Sequence, residues 1–171
     1  ITRKMTKAVY FDMINQKTAS LIAASCELGA ITTSKTTQDR LATHQFGENL
    51  GMAFQIKDDL FDPLGTEYDT GKDSGGDVKK NMITLPLIYS YENMPWNETR
   101  RLRTLLRIKK KSAKVMKEIK GMIDTSGGFD YAKQKLDDFS NRALEAISPY
   151  PESPIKNSLS DLVAFNTARV K

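Results

Sequence analysis

Apolar side chains recur along this chain every three or four residues, the spacing of one face of an α-helix. In the first helix predicted from this pattern they are Val9, Met13, Leu21, Ile22 and Leu28. Glycine often follows the last turn of a helix, so Gly29 is predicted to end this helix. A second helix is predicted to begin near Thr37, whose side chain can cap it, and to stop at Pro63.

Two glycines, Gly47 and Gly51, interrupt the predicted second helix. Each costs about 1 kcal/mol relative to alanine inside a helix. Because they lie four residues apart, they face the same side of the helix. We expect another helix to approach closely there.

The remaining sequence predicts further helices and no strands. A polar, glycine-rich loop occupies residues 63–81, and five helices follow near residues 84–93, 98–108, 112–123, 129–147 and 155–170. No stretch of four or more residues alternates between apolar and polar positions as a strand does. At 171 residues the chain is the size of one ordinary domain, and the predicted fold class is all-α.

Composition narrows the function classes. No apolar run approaches the roughly 18 residues needed to span a bilayer, and the single cysteine, Cys26, excludes an internal disulfide and is predicted to pack in the core. Much of the net charge of +5 comes from basic residues 100–114, which are predicted to be solvated helix faces. This segment lacks interleaved aromatic residues, so nucleic acid is not a predicted partner.

The predicted second helix carries an acidic face near its end. Gln55, Asp58, Asp59 and Asp62 are spaced i, i+3, i+4 and i+7. Like charges at this spacing repel, which predicts a neutralising partner. A hard divalent cation fits this role, because Mg²⁺ prefers carboxylates shared with substrate phosphates.

Two further elements offer positive charge to an anion. Residues 71–80 combine three glycines with Lys72, Lys79 and Lys80, and such a loop can fold around phosphate oxygens or simply face solvent. Lys17 and Thr18 lie among apolar residues of the first helix. Lys17 can extend to solvent or hold an anion in a cleft, and the residues alone leave this open.

Together these elements resemble the C-terminal part of a trans-isoprenyl diphosphate synthase of the long-chain polyprenyl type. The matching positions are Lys17-Thr18-Ala19-x-Leu21, then Phe46-Gly47-x-x-x-Gly51-x-Ala53-Phe54-Gln55-Ile56-x-Asp58-Asp59-x-x-Asp62, then Gly71-Lys72-x-x-Gly75-x-Asp77 and Thr84-Leu85-Pro86. The resemblance covers essentially the whole chain. It implies an antiparallel helix bundle of the isoprenoid-synthase type, of which residues 1–171 are the C-terminal helices of a single domain.

The resemblance also implies a reaction and a site. The family joins isopentenyl diphosphate head-to-tail to an allylic prenyl diphosphate, with Mg²⁺ as cofactor, and makes an all-trans polyprenyl diphosphate. Metal ligation is then assigned to Asp58, Asp59 and Asp62, with Asp58 also catalytic. Diphosphate binding is assigned to Lys17 and Lys72, both catalytic, with Thr18 and Gln55 beside them. Phe54 is assigned to the hydrocarbon pocket, with core packing as the alternative.

Two departures qualify the resemblance. The family carries a lysine two residues before its Thr-Leu-Pro, where this chain has Met82, and Lys79 or Lys80 is the candidate replacement. The family's first aspartate-rich motif and its isopentenyl diphosphate pocket are not in the chain. We therefore expect an N-terminal part elsewhere, an exposed apolar face on this one, and no activity from these residues alone.

Other readings stay open from the sequence. They are a non-catalytic regulatory subunit of a prenyl diphosphate synthase, a terpene cyclase and an unrelated helical interaction module. The near-complete aspartate motif and the Lys-Thr helix favour the synthase. The resemblance further implies a homodimer, a cytoplasmic location and peripheral contact with membranes through the lipid product.

Overall fold

A computed structural model describes residues 5–33, 36–61 and 84–169, and every regular element in these ranges is helical. The elements are α1 (Lys7–Ile14), a π-helical turn (Asn15–Ala19), α2 (Ser20–Thr33), α3 (Thr37–Phe61), α4 (Leu85–Asn93), α5 (Trp96–Leu106), α6 (Ala113–Thr125), α7 (Gly128–Ile147) and α8 (Pro154–Ala168). The all-α prediction is confirmed. None of these helices is long and apolar enough to cross a bilayer.

The helix ends follow local capping, with two corrections to the sequence prediction. Gly29 does not end the first helix, because α2 continues to Thr33. The cap of α3 is Thr36 rather than Thr37, since the Thr36 hydroxyl accepts a hydrogen bond from the Asp39 backbone N–H at 3.1 Å. Ser112 caps α6 in the same way, through the Val115 N–H at 3.3 Å.

The described residues form two compact units. The first contains α4, α5, α6 and the beginning of α7, around a core of Leu87, Leu102, Leu105, Leu106, Ile119 and Ile123. Gly127 turns the chain into α7 with a positive φ of 78°. A Cβ on the next residue, Gly128, would lie 2.5 Å from the Pro86 carbonyl oxygen, so only glycine lets α7 begin this close to α4.

The second unit contains α2, nearly all of α1 and α3, most of α7, and α8, with a core of Phe46, Leu50, Ala143, Ile147 and Val163. A Cβ on Gly47 would lie 2.8 Å from Ala23 Cα, and one on Gly51 would lie 2.5 Å from Ala19 Cα. The predicted close helix approach at both glycines is confirmed. It brings α3 against α2 and the π-helical turn.

Large apolar side chains remain exposed on α1 and α2. Leu21 is 71% exposed and Leu28 is 61% exposed, and the same helices expose much of Val9, Met13 and Ile31. An exposed apolar face was expected if further helices of the protein cover this one. The observation agrees with that expectation.

Candidate active site

Lys17 and Thr18 lie in the π-helical turn, where the helix holds one extra residue. The Ser20 N–H donates to the Asn15 carbonyl, a hydrogen bond spanning five residues instead of four. Such turns occur mostly as single insertions in α-helices and are frequent at functional sites. The sequence did not predict this turn.

The π-helical turn is bonded to the aspartate-bearing helix. The Thr18 hydroxyl donates to Gln55 Oε1 at 3.1 Å, and Asn15 Nδ2 donates to Glu48 Oε1 at 2.8 Å. Both bonds are partly buried and flank Gly51 along α3. Two residues assigned to substrate binding from sequence, Thr18 and Gln55, are therefore in direct contact.

Lys17 is exposed and lines an open groove of about 540 Å³. The other lining residues are Val9, Asp12, Met13 and Gln16. Apolar and charged side chains thus share this surface. Because the Lys17 ammonium group stays in water, it needs no carboxylate partner to offset the cost of burying a charge. It can still contact an anion from this position.

Asp58 is paired with a residue that the sequence did not suggest. Its Oδ1 accepts a hydrogen bond from Arg169 Nη2 at 2.5 Å, and the Asp58 side chain is 40% exposed. The Arg169 guanidinium also lies over the Phe54 ring, 4.8 Å from its centroid. Phe54 is 37% exposed, and its place in a hydrocarbon pocket stays a prediction. Asp58, the carboxylate with the strongest assignment as a metal ligand, is therefore already paired with a cationic side chain.

A second cationic side chain also links the end of α3 to the end of α8. Lys57 Nζ donates to the Thr167 carbonyl in the last turn of α8 at 2.6 Å. The hydrogen bonds of Lys57 and Arg169 therefore both link the end of α8 to the end of α3. A residue pair 111 positions apart, Asp58 and Arg169, leaves no local signal by which sequence reasoning finds it.

Asp59 has a different environment from Asp58, although the two are neighbours. It is only 7% exposed, and its Oδ2 accepts from the Leu85 N–H at the start of α4 at 3.4 Å. A carboxylate in this position accepts a hydrogen bond from a backbone N–H that has no partner within the helix. It also interacts favourably with the positive end of the α4 dipole. Metal ligation by Asp59 stays a prediction, and the described contact gives this residue a positioning role.

We expect this difference to appear in stability. Asp59→Ala should lower the free energy of unfolding by about 1–2 kcal/mol, the usual cost of losing a helix cap and leaving its N–H unsatisfied. Asp58→Ala should cost less than about 1 kcal/mol, because its ion pair is partly exposed. Chemical denaturation followed by circular dichroism measures both. Equal losses would contradict the separate roles.

Several predicted site residues lie outside the described residues. These are Asp62, Lys72, Lys79, Lys80 and Met82. Within the described ranges, no three histidine, cysteine or acidic side chains come together in an arrangement that could hold a metal ion.

Cys26 and His44 are not among the candidate site residues. Cys26 packs against the core of the second unit, and burial raises the pKa of its thiol, which disfavours the reactive thiolate. His44 Nδ1 lies 2.8 Å from Glu27 Oε2 on the surface. The contact of Cys26 with this core agrees with its predicted core packing.

Known proteins share the sequence pattern and the fold of this chain. A model of the polyprenyl synthetase family matches residues 2–123. The chain is 30% identical over 166 residues to the "Probable hexaprenyl pyrophosphate synthase, mitochondrial" of Neurospora crassa, covering 97% of this chain and 36% of that protein. It is 32% identical over 154 residues to "Solanesyl diphosphate synthase 2, chloroplastic" of Arabidopsis thaliana, covering 90% and 36%.

Solved structures give the same result. The geranylgeranyl pyrophosphate synthetase of Pyrococcus horikoshii superposes with a TM-score of 0.84 at 30% identity, covering 97% of this chain and 50% of that one. A polyprenyl synthase from Caulobacter crescentus, solved with calcium and isoprenyl diphosphate, superposes with a TM-score of 0.80 at 28% identity, covering 97% and 51%.

The fold is therefore the helical bundle of the isoprenyl diphosphate synthases. The chain belongs to the polyprenyl synthetase family. It spans about a third of the length of these curated relatives and about half of the solved chains.

Proposed function

We propose that this chain is the part of a long-chain trans-prenyl diphosphate synthase that carries its second aspartate motif. The whole enzyme would condense isopentenyl diphosphate with an allylic prenyl diphosphate and release inorganic diphosphate. The observation that carries this proposal is the Thr18–Gln55 hydrogen bond, since it joins the Lys-Thr turn to the aspartate-bearing helix. Family membership supports the same reaction class.

The side chains present fit a divalent cation. Asp58 offers hard carboxylate oxygens from a partly exposed position, and Mg²⁺ is usually held by one or two carboxylates together with substrate phosphates. When bound, Mg²⁺ would neutralise charge that develops on the departing diphosphate. We assign its ligation to Asp58, and to Asp62 by the motif.

The other residues would hold and orient the allylic diphosphate. Lys17, exposed in its groove, and Lys72 would contact diphosphate oxygens as point charges. The allylic carbon–oxygen bond breaks, and the carbon of the resulting cation forms a bond with the double bond of isopentenyl diphosphate. A proton then leaves to the released diphosphate. Gln55, whose Oε1 accepts a hydrogen bond from the Thr18 hydroxyl, would orient phosphate oxygens or shield the cation.

The proposal extends to the parts that this chain does not contain. The first aspartate-rich motif and the isopentenyl diphosphate pocket would be supplied by the rest of the enzyme, so residues 1–171 alone would be inactive. A homodimer and a cytoplasmic location remain predictions. The two relatives named above are mitochondrial and chloroplastic by name, which makes an organelle the alternative location.

Condensation activity tests the proposed function directly. The natural full-length protein is incubated with labelled isopentenyl diphosphate and farnesyl diphosphate, with Mg²⁺ or with a chelator, and products are separated by length. We expect long-chain products only with Mg²⁺. A protein that is inactive alone but raises the activity of another synthase would instead be the regulatory subunit.

The Asp58–Arg169 pair makes a further prediction about metal affinity. Since the guanidinium occupies Asp58 Oδ1 and repels a dication, Arg169→Gln should tighten Mn²⁺ binding by about twofold to fivefold, the range for a partly exposed ion pair. Electron paramagnetic resonance of free Mn²⁺ measures this without catalysis. The control is Arg142→Gln, which removes a cation that lies over Phe139 on α7. Weaker binding in Arg169→Gln would mean that Arg169 orients the carboxylate for metal.

A further inference from the structure

A row of cations lies along α5, opposite its buried side. Trp96, Arg100, Arg103 and Arg107 follow one another at i, i+4, i+7 and i+11 and are all exposed. We call these four residues, one tryptophan and three arginines, the α5 basic face. Leu102, Leu105 and Leu106 are buried on the other side of this helix. The packing of α5 therefore leaves the basic face exposed in the described structure, with the Arg103 guanidinium 5.8 Å from the Tyr91 ring centroid.

The positive charge continues into the next helix. Residues 96–120 contain ten lysines and arginines but only two acids, whereas the whole chain has 26 basic and 21 acidic residues. One of the two acids, Glu118, is already paired with Arg101 at 2.8 Å. The segment has a net charge of +8 against +5 for the whole chain, so the other residues together are net negative. Positive charge is thus concentrated on this one hairpin.

An exposed tryptophan lies at the start of the basic face. Trp96 is 75% exposed, and the Arg100 guanidinium lies 5.5 Å from its ring centroid. Ile108, just after α5, is 36% exposed. Tryptophan beside arginine or lysine is typical of surfaces that sit at the headgroup level of a bilayer, because the ring is amphipathic and the cations meet lipid phosphates.

We propose that the α5 basic face, with the lysines that follow it, docks on an anionic lipid surface. Each cation near such a surface contributes about 1 kcal/mol, so several on one helix face suffice for reversible binding. Nucleic acid is the competing polyanion, but the basic face has one aromatic residue at its end and none interleaved for base stacking. Docking would keep a synthase beside the bilayer that receives a long hydrocarbon product, although it does not depend on catalysis.

Vesicle binding of the natural full-length protein tests the proposal. The probes are phosphatidylcholine vesicles with and without about 30 mol% phosphatidylglycerol, an anionic content high enough to give a clearly negative surface potential. We expect flotation with the anionic vesicles only, and release at about 1 M salt, where the Debye length falls to about 3 Å. Equal binding to both vesicle types, or to neither, would overturn the proposal.

Trp96 reports on the site itself, because it is the only tryptophan among the 171 residues. Its fluorescence should shift to the blue on anionic vesicles and be quenched by brominated acyl chains. The change must be absent in Trp96→Phe, which separates it from any tryptophan elsewhere in the protein. Vesicle binding with no Trp96-dependent signal would place the contact on another surface.

Charge variants separate this face from net charge. Arg100→Gln/Arg107→Gln should weaken binding to anionic vesicles about tenfold or more, following the contribution of each cation. The matched control, Lys133→Gln/Arg142→Gln, removes two exposed cations from α7 and should bind almost as wild type. Equal weakening in both variants would overturn the assignment. Retention on duplex DNA without vesicle binding would assign the face to nucleic acid instead.

Discussion

Asp58→Ala is expected to lower turnover of the full-length enzyme by at least about 100-fold while leaving its helical content unchanged. The physical reason is that this carboxylate would hold the cation that stabilises the departing diphosphate, and losing one such electrostatic contact costs two to three orders of magnitude. The fold should survive, because the Asp58–Arg169 pair is partly exposed and contributes about 1 kcal/mol or less. Steady-state incorporation of labelled isopentenyl diphosphate measures turnover.

The matched control is Asp137→Asn, which removes an exposed carboxylate on α7. We expect its turnover to stay within about twofold of wild type, as for most surface changes. A turnover near wild type in Asp58→Ala would remove the metal assignment. An equal loss in both variants would show that net charge, rather than ligation, matters.

Gly51→Ala is expected to destabilise the protein by about 3 kcal/mol, although alanine favours helix. The new Cβ would lie 2.5 Å from Ala19 Cα and 2.9 Å from Ala19 Cβ, and a backbone atom cannot move aside as a flexible side chain can. Overpacking of this kind costs about 1–3 kcal/mol and occasionally more. Displacing α3 from the π-helical turn would also lengthen the Thr18–Gln55 hydrogen bond. Urea denaturation and turnover should therefore both report the change.

The control for this variant is Gly121→Ala in α6, where a Cβ would meet no atom within 4 Å. We expect it to stabilise the protein by about 0.5–1 kcal/mol, the difference in helix propensity between the two residues. The opposite signs of two identical substitutions are the diagnostic result. Stabilisation by Gly51→Ala would mean that α3 and the π-helical turn are not closely packed.

Much of the fold was predictable because helices are encoded locally. Apolar spacing predicted the helix order, and the predicted starts and ends of α4 to α8 agree with the structure to within about two residues. Gly47 and Gly51 predicted a close helix contact, since two glycines on one helix face have a cost that packing must offset. The errors at Gly29 and Thr37 were local as well, because more than one nearby residue could end or cap the helix.

The candidate site was predictable only in part. The residue types at positions 17, 18, 55 and 58 indicated anion and metal chemistry, and the resemblance ordered them into one mechanism. Sequence could not show that Thr18 bonds Gln55, that Lys17 lies in a π-helical turn, or that Asp58 and Asp59 differ in burial. These facts depend on which helices pack together and on how far each is shifted along its axis relative to its neighbour.

By itself, the sequence determined the all-α class, the helix order and the acidic face on α3, because periodicity and residue chemistry act over one or two helical turns. Only the tertiary structure decided which neighbours each acidic side chain has. It buried Asp59 against the start of α4 and paired Asp58 with Arg169, 111 residues away. Long-range pairs of this kind arise when helices are packed, and packing is a property of the whole fold rather than of any segment.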